Sequence, residues 1–330
     1  MKYLLKITGF AAGVLIILLL FDNMFSAVSL YKRGYVSNRD IPLAQIEAEE
    51  AGQVDLVCVG NSLGFCSIAP MELYRDYGIT SYNLSTAMQL PVETYFVIRT
   101  AIKKQPVKVI LWEANGLTKQ CDPIEYASSR LAEEIKFRHP FTRYHNAWNN
   151  VVSGFKMRPY MKGFVINEAV KQYTGGEYYD PSDKSVKEVN PVQHYYFDKI
   201  RKLCDEEGIK LVLFCNPSPV CYDTPMLNGI SRFSQEESVD FLDANAEIEK
   251  LGIDWETDTY DKGDHLNLNG SRKMTKFLAQ YLVQECDLED HRSDPGYQAW
   301  NDLLAVYDEE VRRMEGTSYP ILEKKQRQQE

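Results

Sequence analysis

Two stretches of this chain carry the residue types that acyl chemistry needs. "VDLVCVGNSLGFCSIAP" (54–70) leads an apolar, strand-like run through Gly60 and Asn61 to Ser62. "DTYDKGDHLNLNGSRKMTKFLAQYL" (258–282) presents His265 ahead of a helical pattern, with Asp264 immediately before it and Asp261 four residues back. A serine hydroxyl is a poor nucleophile at neutral pH. It needs an imidazole to accept its proton, and a carboxylate to fix the imidazole tautomer and stabilise the imidazolium. Each stretch also has a plainer explanation. Gly-Asn-Ser is good turn material, and Asp264 or Asn269 can cap the helix that follows. Position favours the chemical reading: a serine after the first parallel strand and a histidine before the last helix both project from the carboxyl edge of one sheet.

The elements that would hold them are readable as a pattern. Near-continuous apolar runs at "VDLVCVG" (54–60), "SYNLS" (81–85), "VKVILWE" (107–113) and "IKLVLFC" (209–215) alternate with helical segments. Those segments lie around 67–77, at 91–105, 192–208 and 270–286. Strands of this kind separated by amphipathic helices predict a parallel sheet covered on both faces, a three-layer α/β/α domain over 54–286. Between 118 and 190 the alternation gives way to an aromatic, Arg/His/Asn-rich stretch ("RHPFTRYHNAWNN", "YMKGF"), read as an insertion over the carboxyl edge of the sheet. His145 and Trp148 in that stretch are candidates for binding a sugar, as is Asn216 in "CNPSPV" at the end of the fourth run. The rival reading of the first two is a helix packing its aromatics on the sheet. Residues 287–330 read as a charged helical tail with a frayed end.

Residues 32–53 connect the domain to an N-terminal segment of a different kind. "ITGFAAGVLIILLLF" (7–21) holds no charge and follows Lys2 and Lys6. Counting on to Tyr31, interrupted only by Asp22, gives enough length to cross a bilayer. A cleaved signal peptide is the rival, since "AVS" at 27–29 loosely fits a cleavage site. The long apolar core favours an uncleaved anchor over 1–31, with a short cytoplasmic N-terminus and the domain outside the cell membrane. The net charge of −10 supplies no basic stripe for nucleic acid. Seven cysteines, none in C-x-x-C spacing, indicate buried thiols rather than a zinc or redox site. No metal or diffusible cofactor is expected.

"VCVGNSLGF" resembles the first signature of the SGNH/GDSL hydrolase family, and "DKGDHLNLNG" resembles its last, Asp-x-x-His. "VILWEANGL" (109–117) and "YNLSTAMQL" (82–90) fall where that family has its third and second signatures. The resemblance implies a flavodoxin-like parallel sheet. It makes Ser62 the nucleophile and His265 the base, with oxyanion donors at the Ser62 amide, the Asn115 side chain and an amide at Ser85. The departures are a missing glycine near Ser85, Glu113 and Gly116 at two third-signature positions, and Lys262 where the last signature has its aspartate. The histidine's partner is therefore Asp261 or Asp264; the side chain just before an imidazole reaches it only through a tight turn, whereas Asp261 has room to fold back. A membrane anchor before such a domain is similar to D-alanyl transfer proteins and alginate O-acetyltransferases. That implies acyl transfer or ester hydrolysis on a cell-surface glycan or related polymer. The alternative is a non-catalytic scaffold of the same fold that partners a membrane-bound acyltransferase or polymer exporter.

Overall fold

Leu56–Val59 (β1), Ser81–Asn83 (β2), Val109–Glu113 (β3), Lys210–Cys215 (β4) and Asp240–Asp243 (β5) form one five-stranded sheet in the order β2-β1-β3-β4-β5. Every pairing is parallel. The computed structural model describes residues 2–120, 122–153 and 160–326; Cys121 lies outside them. The three central strands are apolar except at Glu113, which ends β3, and Lys210, which begins β4, because both faces are covered. Val57, Val59, Ile110, Trp112, Leu211 and Leu213 point into one core, with Val97, Phe197, Ile200 and Ile230 from helices on that side. The alternate residues Leu56, Cys58, Val109, Leu111, Val212 and Phe214 point into the other, against Met274, Leu278 and Leu282. The fold class is thus the three-layer α/β/α expected, with flavodoxin-like strand order.

Four helices fall where the apolar spacing put them, at Pro70–Tyr77, Pro91–Ala101, Pro191–Glu207 and Leu268–Glu285. Two flanking elements were not anticipated: the edge strand β5 and the helix Thr224–Glu236.

The segments around the domain are more tightly integrated than the sequence suggested. The 32–53 connector contains a helix, Ile41–Ala48, whose Leu43 and Ile46 are buried in the main core. The C-terminal helix Gln298–Gln326 buries Trp300, Tyr307 and Val311 there too, so the 287–330 tail is docked at its start. The 118–190 insertion divides in two. Its helices Pro123–Arg138, Pro140–Tyr144 and Ala147–Ser153 lie toward the N-terminal segment: Tyr144 and Ala147 share a cluster with Phe25, Leu30 and Ile41, and Phe141 meets the rings of Phe21 and Phe25. Arg143, deep in that contact, pairs with Asp40 at 2.9 Å and with Glu93 at 3.4 Å. Residues 161–190, by contrast, run along the carboxyl edge, bonding Asn83, Thr259 and Leu268 through the backbone. Leu5–Met24 is a helix long and apolar enough to cross a membrane, and none of it is buried against the rest of the chain.

Candidate active site

β1 delivers Ser62 through a constrained turn. Gly60 has φ +142°, and a Cβ there would stand 2.7 Å from Glu113 Cβ on the neighbouring strand β3, so the position requires glycine on both counts. Asn61 then caps the short helix Ser62–Phe65, its side chain accepting the Leu63 N–H at 2.9 Å. Ser62 is half-buried at the start of that turn.

His265 sits in a loop closed by a bridge between Thr259 and Leu266. Lys262 and Gly263 both take left-handed conformations, with φ +68° and +87°. The turn folds Asp261 back so that one carboxylate oxygen accepts the His265 backbone N–H and the other lies 2.7 Å from Nδ1. Asp264 Oδ2 is 3.6 Å from Nδ1, and Asp264 Oδ1 accepts the Cys221 thiol at 3.0 Å. Of the two aspartates, Asp261 therefore makes the close contact. A carboxylate on Nδ1 holds the proton there and leaves Nε2 as the acceptor nitrogen. Nε2 is buried with no hydrogen-bond partner, so Ser62 Oγ does not bond it.

The serine's helix and the histidine's loop are nevertheless clasped together from two sides. On one, the Tyr260 ring lies parallel to the His265 imidazole with centroids 5.6 Å apart, and its hydroxyl is 3.7 Å from Sγ of Cys66, which ends the Ser62 helix. On the other, Asn61 donates to Asn115 Oδ1 at 2.8 Å, and Asn115 Nδ2 donates to the Cys221 carbonyl at 3.2 Å. Cys221 completes this link through its thiol on Asp264. An amide nitrogen carries two N–H groups, so Asn115, half-exposed, keeps one beyond the Cys221 contact. Ser218 braces the same loop, its hydroxyl donating to the carbonyls of Gly263 and Asp264 at 3.1 and 2.9 Å. Beside the Ser62 helix, Phe65, Cys66, Tyr260, Leu266 and Ser271 border a cavity of about 430 Å³.

Under the site lies Glu113, fully buried, its carboxylate accepting from the Tyr222 hydroxyl and from the Asn115 N–H at 3.2 Å. Burial pushes its pKa up from 4.5 to about 8, against the lowering effect of those bonds and of one from the Asn216 backbone. Burial also pushes the thiols of Cys66 and Cys221 up to about 12, which keeps both neutral and poor as nucleophiles. Asp261, Asp264 and His265 offer ligand atoms within 4.8 Å of one another, as do His194, Asp198 and Glu237 elsewhere. In the first group both Asp261 oxygens are engaged by His265; in the second Glu237 is paired with Arg201.

Four sequence candidates fall outside this arrangement. Ser85 is buried and its amide donates to Asn83 Oδ1 at 3.1 Å, so it is not free to hold an oxyanion. Asn216 is buried; its backbone bonds Glu113, and neither polar atom of its side chain has a hydrogen-bond partner. His145 and Trp148 are exposed, but on the helices that pack toward the N-terminal segment; His145 Nδ1 lies 2.8 Å from the Thr142 carbonyl. That stretch buries Tyr144 and Ala147 against Phe25 and Leu30. Sequence reasoning missed Tyr260, Cys221 and the capping role of Asn61. Only the last had a local signal, an Asn placed just before the helix turn.

No family model matches the chain, and no curated protein matches it. Among solved structures it is similar to a provisionally named acylhydrolase from Bacteroides fragilis, at 12% sequence identity and a TM-score of 0.38. The match covers 73% of this chain and 93% of that one.

Proposed function

We propose that the chain is a membrane-anchored serine acyltransferase or esterase acting on a cell-surface polysaccharide or related polymer. The observation that carries this is the two-point grip of Asp261 on His265, which leaves Nε2 as the one nitrogen open to a proton, in a loop clasped to the helix of Ser62. In the reaction, Ser62 Oγ gives its proton to His265 Nε2 and attacks an acyl carbonyl. Catalytic hydrogen bonds often tighten only once substrate is bound, and here the hydroxyl must close onto Nε2. The oxyanion is held by the Ser62 amide and the remaining Asn115 N–H, each such donor contributing about 3 kcal/mol of barrier lowering. His265 returns the proton to the departing alcohol, leaving the acyl group on Ser62. Water or a sugar hydroxyl, deprotonated in turn by His265, then takes it. The anchor is Leu5–Met24, with the domain on the outer side.

The second reading is a non-catalytic scaffold partnering a membrane-bound acyltransferase. The unpartnered Nε2 and the engaged Ser85 amide favour it. A serine-directed fluorophosphonate separates the two. The acyl-transfer reading expects covalent capture of the full chain at Ser62 and none in Ser62→Ala at unchanged melting temperature. Absence of capture in the unsubstituted chain between pH 6 and 9 overturns it in favour of the scaffold.

A further inference from the structure

Along the carboxyl edge beyond the His265 loop, over the end of β5, lies an open cleft of about 800 Å³. Its wall is aromatic: Trp255 meets both Tyr173 and Tyr178 at 6.1 Å, with ring planes 69° and 76° apart, so the three rings form a corner rather than a stack. Glu177, Glu249 and Glu256 line the same cleft, and among the described residues none of its lining is basic and none of these three carboxylates has a cationic partner.

The wall of the cleft is bonded to the His265 loop and, through Asn245, to the residue that braces it. Residues 171–173 run beside 255–259, with Lys171 and Tyr173 donating backbone N–H groups to the carbonyls of Thr259 and Trp255, each at 3.0 Å. The Tyr173 ring closes against Gly263, where a Cβ would come within 3.0 Å of it. The Tyr178 hydroxyl donates to Asn245 Oδ1 at 2.9 Å, and that same oxygen accepts the backbone N–H of Ser218, the residue bracing the His265 loop.

We infer that this cleft is a glycan subsite, taking a neutral or amine-bearing sugar chain and excluding polyanionic polymers. The inference rests on the acyl-transfer reading and names its acceptor. Aromatic rings offer apolar faces to the C–H faces of pyranoses while amides and hydroxyls meet the sugar hydroxyls; Gln172 and Thr174 supply such groups on the rim. Three unpaired carboxylates attract an ammonium and repel a uronate or phosphodiester chain. Tyr173, on the cleft wall, is the residue that adjoins the His265 loop at Gly263.

The test uses full-length Ser62→Ala, so that binding is read without turnover, titrated with cellohexaose, a glucosamine hexamer and a galacturonate hexamer while tryptophan emission is followed. Trp112 and Trp300 are buried and Trp148 does not line the cleft, so Trp255 is the tryptophan placed to report on it. The expected result is a saturable shift with cellohexaose or the glucosamine hexamer, at least tenfold tighter than with galacturonate. Trp255→Ala weakens it at least tenfold by calorimetry, while Trp148→Phe does not change it. Should Trp255→Ala fail to fold, the exposed pair Glu177→Lys/Glu249→Lys decides, expected to tighten galacturonate binding at least tenfold. No saturable binding of any hexamer, equal affinity for galacturonate, or indifference to both variants overturns the inference. Fluorophosphonate capture at Ser62 reads the acyl-transfer proposal separately, since it needs no occupant in the cleft.

Discussion

Replacing Glu113 by glutamine tests whether the floor of the site carries a proton. The group is fully buried, and its pKa stands at about 8 in the folded chain against 4.5 ordinarily. Well below pH 4 the carboxyl is neutral folded or unfolded, and burial adds no pH-dependent penalty. As pH rises past 4.5 the unfolded chain releases the proton while the folded chain keeps it, so stability falls; above about 8 both forms are ionised and the loss levels off. With about 1.4 kcal/mol per pH unit, the penalty is on the order of 3 kcal/mol at neutral pH and at most on the order of 5 kcal/mol. Glutamine keeps a carbonyl for the Asn115 N–H and an amide for the Tyr222 oxygen, yet cannot ionise. Urea unfolding of both proteins at pH 5, 6, 7 and 8 should show the unsubstituted chain losing roughly 1 kcal/mol per pH unit relative to Glu113→Gln. Groups titrating alike in both proteins cancel in that difference. Parallel profiles would show that Glu113 ionises normally, and the account of burial as the dominant influence on it would fail.

The two aspartates beside His265 should separate cleanly. Asp261→Asn keeps a carbonyl for the His265 backbone N–H but turns an amide N–H toward Nδ1, which favours the wrong tautomer and should slow fluorophosphonate capture by about 10³-fold or more. Asp264→Asn, which loses a thiol contact, should stay within about tenfold; equal losses would mean that the geometry has assigned the wrong partner. Gly60→Ala should destabilise the fold by about 3 kcal/mol or more, since it combines a φ foreign to L-residues with a Cβ pressed on β3. An unmoved urea midpoint would refute that.

What the sequence revealed and what it hid follow from where each element's neighbours come from. β1, β3 and β4 were legible because a strand covered on both faces is apolar along most of its length, Glu113 and Lys210 falling only at strand ends. β5 reads Asp-Phe-Leu-Asp, an edge strand with its residues half-exposed or exposed, and composition gives it no signature. The helix Thr224–Glu236 had its signals, Asp223 at the cap and Pro225 in the first turn. Its apolar stripe is only three residues long, Leu227, Ile230 and Phe233, among polar and small neighbours. The insertion's packing on the N-terminal segment had no local signal, because only tertiary contact shows that Tyr144 and Ala147 face Phe25 and Leu30. Asn216 and Ser85 sit at the correct edge of the sheet, but a position at a strand's end does not tell which side chain is turned inward. The bond between Glu113 and Tyr222 spans more than a hundred residues and leaves no trace in local pattern.

The spacing of Asp261 and His265 shows how a departure from a motif can be absorbed by backbone conformation. The last signature of the family that the sequence resembles puts three positions from aspartate to histidine, and Lys262 stands where that aspartate would be. One more residue between the partners would normally swing the carboxylate away. Here Lys262 and Gly263 both go left-handed, which reverses the chain within the loop. The reversal is fixed from outside: Ser218 bonds the carbonyls of Gly263 and Asp264, Thr259 Oγ1 accepts the Gly263 N–H at 2.8 Å, and the Lys171 carbonyl accepts that of Lys262 at 2.9 Å. A lysine at positive φ costs on the order of 1 kcal/mol or more, and these contacts hold it there. The outcome is a carboxylate that meets the histidine at two atoms, backbone and ring, where a single contact would leave the imidazole free to pivot. A loop over-determined by its neighbours holds the carboxylate on the imidazole, and here the aspartate stands one residue from where the motif would have put it.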